Sequence, residues 1–164
     1  MGRGYSVPYN GTITNAGGNT DVFSVQPADD IPVRVWGFLL SQISEVGDSA
    51  EEGLRFTLKY LPATYTVGSS GNSVTAVSPA NDPAGNAWGA TVRTNDTTVG
   101  TTSGTALVRH DAGWNERTSP YDFFFPNELF APVARQASAL ALVQETTAAD
   151  DYTGCFMLWF EECG

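Results

Sequence analysis

A chain of 164 residues with 41% hydrophobic and 12% aromatic residues is long enough for one domain with a real core, which excludes disorder as a description of the whole. Eighteen acidic against eight basic residues give a formal charge of −10. That balance argues against nucleic-acid binding and against docking on anionic lipid, both of which need a basic footprint.

Short apolar, Thr-rich runs recur along the chain, cut by Gly, Pro, Asn and Asp, and no stretch holds a helical period over three turns. This punctuation predicts an all-β, single-domain protein, a jelly-roll-like antiparallel β-sandwich of about eight strands. Residues 1–19 are expected to form an N-terminal arm with a first strand, and residues 20–164 the sandwich. Gly2 and Gly4 loosen the start of the arm, and Pro8 marks an edge position. Residues 1–6 match the N-myristoylation pattern, but no other membrane cue accompanies them; no signal-peptide core or membrane-spanning run is present.

A strand is expected at 21–26, then a turn at 27–30. The longest apolar stretch, 31–44, should place Val33 and Val35 on one face and Arg34, Trp36 and Phe38 on the other, as in a central strand or one covered at a subunit contact. An acidic loop at 44–52 precedes the cleanest alternation in the chain: Leu54, Phe56, Leu58 and Tyr60 against Arg55, Thr57 and Lys59. Residues 62–103 are poor in apolar side chains, with short strands expected near 73–77 and 88–93; so long an excursion is functional or mobile. Further strands are expected at 104–110, 138–146 and 154–161, and helix at most as a turn near 49–53 or 127–130.

Catalytic chemistry finds no support. His110 is the single histidine, so an imidazole metal site or a Ser–His–Asp set has little to build on. The acid pairs Asp29/Asp30, Glu51/Glu52, Asp150/Asp151 and Glu161/Glu162 fit solvated turns, and Ca²⁺-loop spacing is missing. No nucleophile elbow, phosphate loop or dinucleotide motif occurs. The expectation is no enzyme, no metal and no cofactor. Cys155 and Cys163 are too far apart along one strand for a disulfide; Cys155 is expected as a buried, inert thiol. Lys59 is the lone lysine among eight basic residues, and arginine suits paired, partly buried sites, some of them between subunits.

The aromatics at 114–130 are the most unusual feature. Phe123, Phe124 and Phe125 in extended chain must point to both faces; one face meets the core and the other a folded-back loop or a neighbouring subunit. Trp114, Tyr121, Phe123, Phe124, Phe125 and Phe130 are therefore subunit-interface candidates. Arg3, Tyr5 and Tyr9 of the arm are docking candidates, since Arg and Tyr make good interface anchors.

Three segments carry a family resemblance: Gly-Tyr-Ser-Val-Pro-Tyr-Asn-Gly (4–11), Leu-Ser-Gln-Ile-Ser-Glu-Val-Gly-Asp-Ser-Ala-Glu-Glu-Gly-Leu-Arg-Phe (40–56) and Gly-Trp-Asn-Glu-Arg-Thr-Ser-Pro (113–120). Together they resemble small structural proteins of tailed bacteriophages. The resemblance implies a jelly-roll cement or decoration protein on the capsid exterior. It would be made in the host cytoplasm and partnered by the major capsid protein, as a homotrimer, with no nucleic acid and no membrane. A second reading is a receptor- or carbohydrate-binding module of a phage fibre, with Trp88 among Asn81, Asp82 and Asn86 as the sugar platform.

Overall fold

The computed structural model describes residues 2–14, 17–43, 53–74, 89–115, 117 and 120–164. These hold thirteen strands and no helix. In chain order they are β1 (Arg3–Ile13), β2 (Thr20–Gln26), β3 (Val33–Leu40), β4 (Gly53–Leu61), β5 (Tyr65–Thr66), β6 (Asn72–Ser73), β7 (Thr91–Asp96), β8 (Thr101–Thr102), β9 (Leu107–Asn115), β10 (Tyr121–Phe124), β11 (Val133–Ala134), β12 (Ala139–Gln144) and β13 (Tyr152–Glu162).

Two sheets form the sandwich. The first runs β1-β13-β3-β10, with β11 also on β3; the second runs β6-β7-β2-β12-β4-β9. The antiparallel pairs β1/β13, β2/β12, β3/β10 and β4/β9 nest one inside the next. Such a nest, rolled so that β13 also pairs β3 and β12 also pairs β4, is the jelly roll. The expected fold class is therefore the one adopted. A two-stranded flap, β5-β8, lies outside the two sheets.

The core follows from period-2 alternation. On β13, Tyr152, Phe156, Leu158 and Phe160 point inward; on β4, Leu54, Phe56 and Leu58 do; on β12, Leu140 and Leu142. A smaller second core of Leu61, Tyr65, Ala139, Ala141 and Val143, with Val99 against it, fills the space between the second sheet and the flap. This explains why β12 is buried on both faces.

Two expectations about which way side chains face need correction. Phe38 lies in the core with Val33 and Val35, not opposite them. The register between β3 and β13 slips at Trp36: Gly37 faces Trp159 but Val35 faces Phe160, so the extra residue reverses the alternation. Cys155 lies on the outward side of β13 and is half-buried; both cysteines are free. The strand expected within 1–19 is β1: residues 3–13 pair with 152–162 along their whole length, and Tyr5, Val7 and Ile13 are core residues. Of the short strands expected in 62–103, β7 starts at Thr91 and β6 is only Asn72–Ser73; residues 75–88 and the acidic loop at 44–52 lie outside the described residues.

Candidate interaction surface

The outward face of the first sheet is built from the residues of its strands that point away from the core: Ser6 and Pro8 on β1, Cys155, Met157, Trp159 and Glu161 on β13, Arg34, Trp36 and Leu39 on β3, and Asp122 and Phe124 on β10. An outward sheet face bathed in water alternates to polar residues; this one places Trp36, Leu39, Phe124, Met157 and Trp159 together. Gly37 makes the arrangement possible. A Cβ there would lie 2.2 Å from the Phe123 carbonyl oxygen and 2.8 Å from the Phe124 ring. With glycine, Phe124 lies across the sheet against Trp159, ring centroids 4.6 Å apart.

Part of the charge on this face is paired, while Asp122, in phase with Phe124, is exposed. Glu161 Oε2 accepts the Trp36 indole N–H at 3.0 Å and an Arg34 N–H at 3.3 Å. The Arg34 guanidinium sits 5.6 Å from the centre of the Trp36 ring and 3.6 Å from Glu128. Trp36 thus has its polar end satisfied while its ring remains half-exposed. Trp36, Phe124 and Trp159 border a groove of about 280 Å³ with Gly4, Ser6 and the edges of Tyr5 and Phe160. Beyond Glu128 a tight turn continues the apolar ridge. Asn127 Oδ1 accepts the Leu129 N–H and its carbonyl accepts those of Phe130 and Ala131. The turn pushes Leu129 (87% exposed) and Phe130 (67%) into solvent.

The outward face of the second sheet is different. The flap covers part of it, and two ion pairs lie on it, Lys59–Glu145 at 2.6 Å and Arg55–Asp111 at 2.6 Å, beside the exposed Val108. Glu145 also accepts from Thr57 and Asn19. Burial pushes its carboxyl up, but the Lys59 and Thr57 hydrogen bonds outweigh that and hold it below the usual carboxylate range.

Of the six aromatic candidates at 114–130, Phe124 and Phe130 are at the surface. Trp114 is in the core, edge-on to Phe56 at 5.9 Å, and Phe125 is buried with its N–H on the Trp36 carbonyl. Tyr121 and Phe123 turn inward around His110. The imidazole stacks on Phe123 at 3.7 Å, and its Nε2 lies 2.9 Å from the Tyr121 hydroxyl. Burial lowers the His110 pKa, so the ring packs as a neutral aromatic at neutral pH. It sits within β9 rather than at a strand end.

Of the arm candidates, Arg3 is exposed, Tyr5 is buried against Phe160, and Tyr9 is half-buried on Phe156. Trp159 and Leu129 escaped the sequence reading, and Trp36 entered it only as part of a strand face that a subunit contact could cover. The signal for Trp159 was the unbroken apolar run 155–160, which marks a strand covered on both sides. Trp88, Asn81, Asp82 and Asn86 lie outside the described residues. No group of three or more His, Cys, Asp or Glu is placed to hold a metal among the described residues.

No protein-family model matches the chain, and no curated protein matches it. A solved structure entitled "Structure of infectious bursal disease virus Gx strain" aligns with 99% of this chain at 15% identity and a TM-score of 0.21, and this chain spans 42% of that one. A likeness of that size carries no argument about fold or function.

Proposed function

We propose that the protein is a virion structural protein of a tailed bacteriophage, a cement or decoration protein that acts through protein–protein contacts on the head exterior. The observation that carries the reading is the asymmetry of the sandwich. The flap and ion pairs cover much of one outward face, where Val108 stays exposed; on the other, the described residues leave Trp36, Phe124 and Trp159 together around an apolar groove. Contiguous apolar surface of this kind marks an interaction site. Jelly rolls serve many functions, so the fold alone supports no choice among them; the three sequence segments supply the phage setting.

The homotrimer is assigned to this same face. Arg34 and Glu161 pair with each other there, which offsets part of the negative charge that Asp122 and Glu128 bring to the same face. A trimer requires a heterologous contact, in which this face of one copy meets a different surface of the next around a three-fold axis. Arg3, exposed at the edge of the same sheet, remains a candidate for contact with the major capsid protein. The test is co-sedimentation with empty heads of a tailed phage that encodes the chain. The natural protein is expected to pellet with the heads, and Phe124→Asp to stay in the supernatant while keeping its β-rich circular dichroism. Equal decoration by both would remove the face from the account.

The groove also gives the carbohydrate reading a specific form, since Trp36 and Trp159 offer ring faces to a sugar. Glu161, the carboxylate next to Trp36, is already engaged by Trp36 and Arg34. A glycan array would separate the two readings.

A further inference from the structure

The flap over the second sheet closes onto two buried acids. Asp21 of β2 and Asp96 of β7 are register partners, 2% and 0% exposed. Asp96 is well answered: Arg93 donates to both of its oxygens, at 2.6 and 2.8 Å, and Gly71 N–H adds a third bond at 3.0 Å. Asp21 receives one bond, from Gly100 N–H at 2.7 Å on Oδ2, and no described basic group lies within ion-pair distance of it. Lys59, which lines the same cavity, is paired with Glu145. The charged groups gathered here are therefore three carboxylates, Asp21, Asp96 and Glu145, and two cations, Arg93 and Lys59. The Tyr65 phenol stays neutral, its pKa raised by burial.

The flap is shaped to reach these acids. A Cβ at Gly100 would lie 2.5 Å from the Tyr65 ring. At Gly71 it would lie 2.2 Å from the Thr94 carbonyl and 2.5 Å from Asp96 Oδ1, and at Gly68, 2.6 Å from the Thr98 carbonyl and 2.9 Å from Asp96 Oδ2. Glycine at these positions lets loop backbone descend onto the two carboxylates. Beside Asp21 a cavity of about 290 Å³, lined by Asn19, Lys59, Gly100, Thr102 and Val143, leads outward under β8.

We propose that the flap is a proton-controlled latch, shut while Asp21 carries a proton and loosened once that carboxyl ionises. A protonated Asp21 still accepts the Gly100 N–H through its carbonyl oxygen and adds no second negative charge beside Asp96. An ionised Asp21 has the Gly100 N–H as its one hydrogen-bond donor among the described residues, and lifting residues 97–103 opens it further to solvent through the cavity. Burial, more than the Gly100 bond or Lys59 can offset, raises Asp21 to about 7, with Asp96 and Glu145 adding to the shift. Opening therefore releases a proton, and rising pH favours it.

Hydrogen exchange of the Gly100 amide tests the latch. After correction for intrinsic exchange, its protection is expected to fall about tenfold between pH 6 and pH 8 in the natural chain, from a closed-state pKa near 7 and an ordinary one when open. Asp21→Asn should hold protection high at both pH values. Constant protection in the natural chain, or the same fall in Asp21→Asn, would overturn the proposal. Should Asp21→Asn not fold, carbon-detected NMR titration of Asp21 in the natural chain decides: a midpoint near 7 supports the latch, and one near 4 overturns it.

Discussion

Burial of Asp21 beside Asp96 ties the stability of the protein to pH. Its folded pKa, about 7, lies above the ordinary 3.8, so the folded state binds the proton more tightly than the unfolded chain. The stabilisation from that proton is complete below about pH 4 and is lost as pH rises through about 7. Urea unfolding from pH 5 to pH 8 should therefore show a fall in midpoint that Asp21→Asn removes. Arg55–Asp111 runs the opposite way: its hydrogen bond to arginine holds the Asp111 carboxyl down, so its contribution fades only in acid, and exposure keeps it small. Trp114 gives a second test at this scale. It is 3% exposed between Phe56 and Tyr152, so Trp114→Ala should cost roughly 3–5 kcal/mol in urea unfolding. Sequence alone placed Trp114 in a candidate interface, because aromatic excess does not say which residue of a run turns inward. Asp21 had no local signal at all: its burial comes from a flap contributed by residues 40 and more positions away.

At the scale of elements, alternation made most strands legible. Leu54–Tyr60 reads as half-buried strand, and β4 covers it. What stayed hidden is where the period breaks. The bulge at Trp36 is set by β13, a strand more than a hundred residues away in sequence, and nothing within 31–40 announces it. The N-terminal segment shows the same limit: mobile arm and edge strand share one local pattern, and the choice depends on β13 being available to pair. Since β1 supplies Tyr5 and Val7 to the core, deleting residues 2–9 should abolish cooperative unfolding, as read by near-ultraviolet circular dichroism, rather than release a dispensable tail. Pro8 has its own role. It lacks an N–H, and on an edge strand that gap faces outward and blunts strand addition by a neighbour.

At the scale of the molecule, one sandwich carries two unlike surfaces. The fold class was legible because turn residues and short apolar runs repeat along the chain; the pairing order that makes it a jelly roll was not, since every nested pair joins distant segments. The face around Trp36, Phe124 and Trp159 was half legible. Phe124 and Phe130 came from the aromatic run, whereas Trp36 and Trp159 meet Phe124 only after β3, β10 and β13 assemble. Sedimentation velocity at micromolar concentration, run on the natural chain and on Phe124→Asp, tests the docking face most directly. The account predicts a trimer for the natural chain and a folded monomer for the variant. A stable monomer for the natural chain, or an unchanged trimer for Phe124→Asp, would contradict it.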